Sequence, residues 1–323
     1  MQRPSALFSV LVLALILVLA RGEAARAEKL RVGKSSAVGF TFIPLDVGIE
    51  KGIFARNGIE VELVQLGGSA KLHQAAVANA IDLGLGAGTD VAFVVKGAPE
   101  TVVGAVSLSP ALFGIVLLND SPVKTVDDLK GRRIGISTVG SLTQWIIFQL
   151  AKKQGWKRDE IVTVPIGSET TPQLAAMQTR QVDAVLSAAA FGLNLEQQGR
   201  GRLLMPASAI VGSFLMNVVF ATDKFVQDNP DGVRRFLKAW YETVDAMWAD
   251  KPGTVQIART ITRYAQQVEE KEYDTVMPSL SRDGQFPPSA VAKVQESFVE
   301  LEILDREPDM AKYLTTAFLP KRN

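Results

Sequence analysis

The sequence contains no cysteine and a single histidine, His73, among its 323 residues. The absence of cysteine excludes disulfide bonds, thiolate nucleophiles and cysteine-ligated metal centres, and one histidine cannot build a histidine-rich metal site. The H-E-x-x-H, G-x-S-x-G and P-loop spacings are also absent. The sequence therefore predicts no catalytic residues, no metal site and no cofactor, and we expect a binding protein rather than an enzyme.

An excess of charge of either sign is absent as well. Lysine and arginine number 35, and aspartate and glutamate number 34, so the formal net charge is +1. A protein that binds nucleic acid or an anionic membrane surface usually carries a clear excess of positive charge. We therefore expect neither nucleic acid nor a membrane surface as a partner.

A long hydrophobic run lies at the N-terminus, where residues 6–20 are apolar except for Ser9. Arg3 precedes the run, and an A-x-A cleavage signal follows it at residues 25–27. The run is shorter than the roughly 20 apolar residues that a membrane-spanning helix needs. We therefore expect residues 1–27 to be a cleaved signal peptide. The mature protein, which has no cysteine to carry a lipid, is then predicted to be soluble in the periplasm.

A strand–turn–helix pattern occurs twice in the sequence. Residues 133–143 read R-I-G-I-S-T-V-G-S-L-T, and residues 31–39 read R-V-G-K-S-S-A-V-G, which matches with one insertion at Ala37. A second pair of matching segments, residues 80–87 and 181–188, lies at nearly the same offset. Two matches at one offset indicate two related α/β units.

Alternating strand and helix patterns in each unit predict parallel βαβ arrangements. The strands predicted in the first unit are residues 30–35, 59–66, 83–87 and 101–108, and its helices are residues 44–56, 69–80 and 89–96. The second unit has predicted strands at residues 114–118, 134–136, 161–166 and 184–187, predicted helices at 144–153 and 172–181, and a return crossing at 206–213. Beyond Phe220 the pattern is mostly helical, and we expect this region to pack on the first unit. Its apolar face consists of Val233, Phe236, Leu237, Trp240, Val244, Met247 and Trp248.

Polar turns follow the predicted strands of both units, at the strand ends where open α/β sheets bind ligands. Ser137, Ser141 and Thr143 place hydroxyl groups beside a predicted helix start, whose free N–H groups favour an anion or a polar oxygen. Gly140 permits close approach of the backbone. The alternative that Ser141 merely caps its own helix stays open. Two such units facing each other would form one cleft.

Four stretches carry a more specific pattern, in a fixed order along nearly the whole mature chain. They are residues 44–63 (P-L-D-V-G-I-E-K-G-I-F-A-R-N-G-I-E-V-E-L), the I-D and V-D turns at Asp82 and Asp183, residues 127–136 (D-D-L-K-G-R-R-I-G-I) and residues 220–239 (F-A-T-D-K-F-V-Q-D-N-P-D-G-V-R-R-F-L-K-A). Together they resemble the periplasmic solute-binding proteins of ABC importers, in the branch of nitrate, sulfonate and taurine binders and the thiamine-precursor (NMT1/THI5-like) group. R-D-G-Q-F at residues 282–286 also resembles a late motif of that family.

The resemblance implies an α/β, two-lobed fold like that of type II periplasmic binding proteins. Each lobe would be a mostly parallel sheet flanked by helices, with a helical C-terminal region. Residues 28–112 and 212–323 would form lobe 1 and residues 113–211 lobe 2, joined by crossing segments near residues 109–113 and 211–214. The resemblance further implies a monomer that closes on a small-molecule ligand by hinge motion and delivers it to the transmembrane subunits of an ABC permease.

By the same resemblance, the ligand is enclosed by the loops that follow the strands of both lobes. The predicted ligand-binding residues are Ser35, Ser36, Phe40, Phe42, Gly68, Ser69, Gly88, Thr89, Ser137, Gly140, Ser141, Leu142, Thr143, Thr170 and Ala188. Four aromatic residues beside these turns, Phe40, Phe42, Trp145 and Phe191, would wall the apolar part of an organic ligand, or else belong to the core.

The predicted loops contain no arginine, and their charged residues are Lys71, Asp90 and Glu169. An anion of the sulfonate, taurine or nitrate type would therefore be held by hydroxyl and backbone N–H groups, each contributing about 1.5–3 kcal/mol. Asp90 would suit a ligand amine, unless it caps the neighbouring helix. We expect such an anion as the ligand.

Alternative functions also stay open. The chain would bind an aromatic carboxylate, or a pyrimidine or other thiamine precursor, on the same scaffold. Some eukaryotic relatives of the fold are thiamine-pyrimidine synthases, which depend on a histidine and a cysteine-rich segment. Here the cysteines are absent, and we expect His73 to be a partly exposed helix residue off that position. A sensor role for the closed form would use the same cleft.

Replacing Ser141 with a bulky residue such as phenylalanine is predicted to abolish solute binding without unfolding the protein, because the side chain would fill the cleft at the helix start. Calorimetric titration of the variant, with thermal unfolding as the control for folding, measures both effects. Retained micromolar binding would contradict the placement of the cleft.

Overall fold

The computed structural model of the chain describes residues 27–36 and 38–321, which form two mixed β-sheets flanked by helices. Apart from Ala27, the predicted signal peptide lies outside the described residues. Within these two ranges, no helix combines the length and the apolar character needed to cross a lipid bilayer.

The first sheet combines four strands from the first third of the chain with one strand from much later. The strands are β1 (Glu28–Lys34), β2 (Ile59–Gln65), β3 (Leu83–Ala87), β4 (Glu100–Ser107) and β10 (Asn217–Thr222). Their order is β2-β1-β3-β10-β4. β1 pairs in parallel with β2 and β3, whereas β10 lies antiparallel between β3 and β4. Four strands therefore run in one direction and β10 runs against them.

The second sheet repeats this arrangement. Its strands are β5 (Phe113–Leu118), β6 (Arg133–Ile136), β7 (Val162–Pro165), β8 (Ala184–Ala188) and β9 (Gly201–Pro206). Their order is β7-β6-β8-β5-β9, with β5 antiparallel between β8 and β9. The predicted two-lobed α/β architecture with mostly parallel sheets is therefore confirmed, with one antiparallel strand in each sheet.

The chain passes from the first sheet to the second between β4 and β5 and returns between β9 and β10. The division into lobe 1 (28–112 and 212–323) and lobe 2 (113–211) agrees with this path and stays a prediction. The sequence analysis predicts neither β9 nor β10. β10 is missed because it is buried on both faces, with Val218 and Phe220 on one and Val219 and Ala221 on the other. Its sequence therefore shows no alternation of apolar and polar residues.

Helices cover both faces of the sheets. They are α1 (Ile43–Glu50), α2 (Ile53–Arg56), α3 (Ser69–Val77), α4 (Val91–Val95), α5 (Leu142–Lys153), α6 (Thr170–Gln178), α7 (Ala189–Gln197), α8 (Asp223–Asp228), α9 (Pro230–Ala249), α10 (Lys251–Thr262), α11 (Gln266–Val276) and α12 (Pro288–Glu300). The single helix predicted at residues 44–56 is wrong. Gly52 adopts φ +65°, which ends α1 and turns the chain into α2.

The two repeated phrases of the sequence have the same structural role in both sheets. The Asp82 carboxylate before β3 accepts a hydrogen bond from the backbone N–H of Arg31 at 2.8 Å, and Asp183 before β8 accepts one from Arg133 at 2.9 Å. At the other end of these strands, the Ser35 carbonyl accepts from Gly68 N–H at 2.7 Å, and the Ser137 carbonyl accepts a corresponding bond at 3.0 Å. The repeat therefore reflects one strand framework used twice.

The C-terminal helices cover the first sheet, as expected, but they also reach the second. The predicted apolar face of α9 is buried against α1 and α2, except for Trp248 in the last turn, which is 41% exposed. α11 contacts α7, and α12 contacts α5, both of which belong to the second sheet. The expected packing on the first unit is therefore found, together with contacts to helices of the second unit that the sequence analysis did not predict. These helices bridge the two sheets.

Gly88 is predicted to be intolerant of a side chain because a Cβ atom there would lie 1.7 Å from the backbone oxygen of Leu215. Backbone cannot yield as a flexible side chain can, so we expect Gly88→Ala to lower the free energy of unfolding by about 3 kcal/mol. Urea denaturation measures the loss. Gly212→Ala is the matched control. Gly212 lies on the segment between β9 and β10 that also contains Leu215, and no atom lies within 4 Å of its added Cβ. Equal stability of both variants would contradict this close approach.

Candidate ligand-binding site

A cavity of about 400 Å³ lies where the carboxyl ends of the parallel strands of the two sheets meet. The first sheet contributes loops after β1, β2 and β3, and the second contributes loops after β6, β7 and β8. The crossing segments add Leu112, Phe113, Met216 and Asn217 to the wall. The cavity therefore has side chains from both sheets and from both connections between them.

Most of the predicted ligand-binding residues line this cavity. They are Ser35, Ser36, Phe42, Ser69, Thr89, Ser137, Leu142, Thr143 and Ala188. The structure brings together the hydroxyl-bearing turns of both repeated phrases, although contact with a ligand stays a prediction for each of them.

The other predicted positions lie outside the cavity wall: Phe40, Gly68, Gly88, Gly140, Ser141 and Thr170. Phe40 is fully buried, and its ring meets Tyr273 edge-on at 6.3 Å. Gly68 and Gly140 have positive φ values, 128° and 74°, and shape the turns. Gly88 donates its N–H to the carbonyl of Met216 at 2.8 Å. These residues therefore support the loops rather than line the cavity.

Ser141 acts on the cavity through its neighbour. Its Oγ caps α5 by accepting from Gln144 N–H at 3.3 Å, and it also lies 2.8 Å from Thr143 Oγ1. Thr143 Oγ1 in turn accepts from the backbone N–H of Ser137 at 3.0 Å. The helix-cap alternative for Ser141 is therefore realised, and an effect of its replacement on binding would pass through Thr143.

The apolar part of the wall differs from the aromatic residues predicted for it. Of these, Phe42 lines the cavity, whereas Trp145 and Phe191 belong to the hydrophobic cores. The Trp145 indole N–H donates a hydrogen bond to Glu300 Oε2 at 2.5 Å. Two aromatic residues that the sequence analysis missed, Phe113 and Tyr264, also line the cavity.

A buried amide also escaped the sequence analysis. Gln173 on α6 accepts a hydrogen bond from the Ser187 hydroxyl at 2.6 Å, and its Nε2 donates to the carbonyl of Gly167 at 2.9 Å. Both Gln173 and Ser187 line the cavity. Glutamine in a helix gives no sequence signal of this role, since its partner lies 14 residues away on β8.

Asp90 and Glu272 are the charged residues in the cavity wall, as far as the described residues show. Asp90 Oδ2 accepts from the backbone N–H of Ala87 at 2.9 Å, which is the capping role weighed for it. Lys71 and Glu169, the other charges of the predicted loops, are exposed and lie outside the wall. Glu272 comes from α11, where the sequence analysis expected only packing.

His73 is buried behind Asp90, so its prediction as a partly exposed residue is wrong. Its side chain is 3% exposed, with Nδ1 at 2.6 Å from Glu100 Oε2 and Nε2 at 3.6 Å from Asp90 Oδ2. Burial alone would lower the pKa of His73, but its interactions with the two carboxylates outweigh burial and raise the pKa to about 9. At neutral pH the imidazolium therefore places one positive charge between Glu100 and Asp90, closer to Glu100.

A family model described as NMT1/THI5 like matches residues 40–252 of the sequence. The chain belongs to the NMT1/THI5-like family. The resemblance stated on the sequence motifs is thereby confirmed.

Curated relatives of this NMT1/THI5-like chain carry names from thiamine synthesis. A Haemophilus influenzae protein named for thiamine biosynthesis is 29% identical over 143 residues, which cover 44% of this chain and 44% of the relative. The 4-amino-5-hydroxymethyl-2-methylpyrimidine phosphate synthase of Candida albicans is 25% identical over 218 residues, which cover 64% of this chain and 63% of the relative. The chain thus matches less than two thirds of the length of these relatives.

Among solved structures, the periplasmic aliphatic sulphonate binding protein SsuA of Escherichia coli is similar over nearly the whole chain. The two structures superpose with a TM-score of 0.75 at 18% sequence identity, covering 89% of this chain and 92% of that one. At this identity the similarity shows the periplasmic-binding-protein fold.

The NMT1/THI5-like chain has no apparent metal centre in its described part: residues 27–36 and 38–321 contain no group of three or more His, Cys, Asp or Glu side chains placed to hold an ion. The His73, Asp90 and Glu100 cluster is an ion-pair arrangement. It connects the cavity wall to β4.

The imidazole of His73 is predicted to titrate near pH 9 rather than near 6.5. Because its pKa is raised on folding, the stability it contributes is complete below about pH 6.5 and is lost as the pH rises through about 9. Proton NMR measures this directly, since His73 is the single histidine of the sequence. Glu100→Gln removes one carboxylate partner and should lower the midpoint. A wild-type midpoint at or below 6.5 would contradict the buried ion pair.

Proposed function

We propose that the chain is the periplasmic substrate-binding component of an ABC importer, which captures a small organic solute between its two lobes and delivers it to the permease. The observation that carries this proposal is the convergence of hydroxyl-bearing turns from both sheets on one cavity. A ligand that touched one lobe alone could not shift an open–closed equilibrium, whatever its affinity. A ligand that contacts side chains of both sheets would bind the closed form more tightly than the open form.

An organic anion of the sulfonate type is the solute that we propose first. The wall contains hydroxyl groups from Ser35, Ser69, Ser137, Thr143 and Ser168, at or near the starts of α3, α5 and α6. Helix starts favour anions, and a hydrogen bond to a charged group contributes about 1.5–3 kcal/mol. Three or four such bonds, less the cost of ordering, account for a micromolar complex at about −8 kcal/mol.

The apolar wall favours an organic anion such as an alkanesulfonate or taurine over nitrate. The apolar side chains that line the cavity include Phe42, Phe113, Leu112, Leu142 and Met216. An inorganic ion has no apolar surface to bury against them. The cavity volume of about 400 Å³ lies in the range of small-molecule sites. The name of the E. coli structural neighbour, an aliphatic sulphonate binding protein, supports this choice.

A pyrimidine of the thiamine-precursor type is the second candidate, with an aromatic carboxylate as a further variant on the same wall. The thiamine-related names of the relatives favour the pyrimidine. Phe42, Phe113 and Tyr264 supply aromatic surface for a flat ring, and Glu272 supplies a carboxyl group for an amino N–H.

We propose binding rather than catalysis, although relatives are named as synthases. The sequence has no cysteine, and His73 is engaged with Glu100 outside the cavity wall. A sensor role would use the same cavity. Turnover of any ligand that binds would favour the synthase-like alternative.

Thermal unfolding against a solute panel tests this function. Protein refolded to remove any carried ligand is mixed with alkanesulfonates, taurine, nitrate, aromatic carboxylates and aminopyrimidines. A solute at a hundredfold over its dissociation constant stabilises the fold by about 2.7 kcal/mol, which raises the midpoint by several degrees. We expect Leu142→Trp, which fills the cavity, to abolish this shift.

Val139→Trp is the matched control for that variant. Val139 lies in the same turn but is 72% exposed and outside the cavity wall. The ligand-induced rise in the unfolding midpoint of Val139→Trp should equal that of the wild-type protein. An unchanged shift in Leu142→Trp would place the binding site elsewhere, and a wild-type protein that responds to no solute would contradict the proposed function.

A further inference from the structure

Glu272 presents a buried carboxyl group to the cavity without a partner for one of its oxygens. Its side chain is 2% exposed and lines the cavity, and Oε2 has no hydrogen-bond partner among the described residues. A buried carboxyl oxygen without a partner is costly, and at the wall of a cavity a ligand N–H can supply the missing partner.

The other carboxylate of the wall is already occupied. Asp90 accepts the backbone N–H of Ala87 and faces the protonated His73, whose positive charge it shares with Glu100. Glu272 has no such cation, since no salt bridge to it occurs among the described residues. Of the two carboxyl groups in the wall, Glu272 is therefore the one available to a ligand.

The surroundings of Glu272 are acidic rather than basic. Glu269, one helical turn earlier, is fully buried and accepts a hydrogen bond from the Thr262 hydroxyl. Tyr264, whose side chain also lines the cavity, lies close enough to both carboxyl groups for their charge to raise its pKa, after burial as the larger cause. Burial, followed by the charge of Glu269, raises the pKa of Glu272 well above its usual value.

Three basic groups near α11 interact with carboxyl groups other than Glu272. Arg259 on α10 lies close enough to Glu269 for its charge to act on that carboxyl group, and Lys251 pairs with Asp274 at 2.5 Å. Towards α7, Lys271 pairs with Glu196 at 3.3 Å. The short turns at residues 40–42 and 277–279, which also contact α11, carry no charged side chain.

We propose that Glu272 is a specificity-determining residue that accepts an N–H from a protonated or amino nitrogen of the solute. This inference rests on the proposed solute-binding function and narrows it to ligands that carry such a nitrogen beside their polar or aromatic part. An aminoalkanesulfonate and an aminopyrimidine meet the requirement, whereas a plain alkanesulfonate does not.

Binding of a cationic nitrogen has a proton balance that reports on Glu272. Burial raises the pKa of Glu272, whereas pairing with a cationic nitrogen favours its carboxylate form. Binding of such a ligand is therefore expected to release protons from Glu272 to the solvent, and the release decreases as the pH rises and the carboxyl ionises in the free protein. Titration calorimetry in two buffers of different ionisation enthalpy measures the number of protons released.

Matched pairs of solutes provide the decisive test. The pairs are taurine with ethanesulfonate, and 4-amino-5-hydroxymethyl-2-methylpyrimidine with the same ring lacking the 4-amino group. In at least one pair, the wild-type protein should bind the nitrogen-bearing member about tenfold or more tightly than its partner. Glu272→Gln should reduce this ratio to below about threefold and abolish proton release on binding of taurine. Circular dichroism verifies that the variant is folded.

Glu270→Gln is the control on the same helix, because Glu270 lies outside the cavity wall and accepts from Gln266 at 2.8 Å. It should keep the wild-type ratio. Equal affinity for both members of each pair, or a ratio that survives Glu272→Gln, overturns the role of Glu272 and leaves the proposed function standing. Failure of the wild-type protein to bind any of the four solutes or any member of the wider panel overturns both.

Discussion

The two sheets depend on one interaction that is made twice, an aspartate side chain that accepts the backbone N–H of an arginine in the neighbouring strand. Asp82 joins β3 to β1 in this way, and Asp183 joins β8 to β6. Since the side-chain directions of a strand alternate with every residue, this bond fixes which residues face the core and where each strand ends. The polar turns at the opposite ends of the strands are therefore held at one level in both sheets, and they can meet in one cavity.

The cavity that results combines hydroxyl groups with apolar side chains, and no lysine or arginine of the described residues lines it. Its hydroxyl groups are held by one another and by backbone groups, as in the bonds among Ser137, Ser141 and Thr143. Under the proposed function, a solute held by several moderate hydrogen bonds would be released when the lobes separate, because no single contact dominates the affinity. A site with a buried arginine would bind an anion more strongly but would require more energy to open. Moderate affinity without a dominant contact therefore agrees with the proposed role of delivering a solute.

The sequence predicts the framework of the fold better than it predicts the walls of the site. Periodicity, the repeated phrases and the I-D and V-D turns locate the strands near the N-terminus of each unit, together with most of the hydroxyl-bearing turns. β10 is missed because it is buried on both faces, so its apolar residues do not alternate. Phe113, Tyr264 and Glu272 are missed because they reach the cavity from a crossing segment, from the connection between α10 and α11, and from α11. Their approach depends on tertiary packing, which no local pattern records.

The position of β10 also governs the order in which the molecule can be assembled. All strands of the second sheet lie within residues 113–206, so that sheet can form as soon as these residues are available. The first sheet needs β10 between β3 and β4, and it stays open until residue 222 has followed. During synthesis, the facing edges of β3 and β4 are unpaired and can pair wrongly with other chains. The first sheet, whose first four strands precede the second sheet in the sequence, is thus completed after the second sheet.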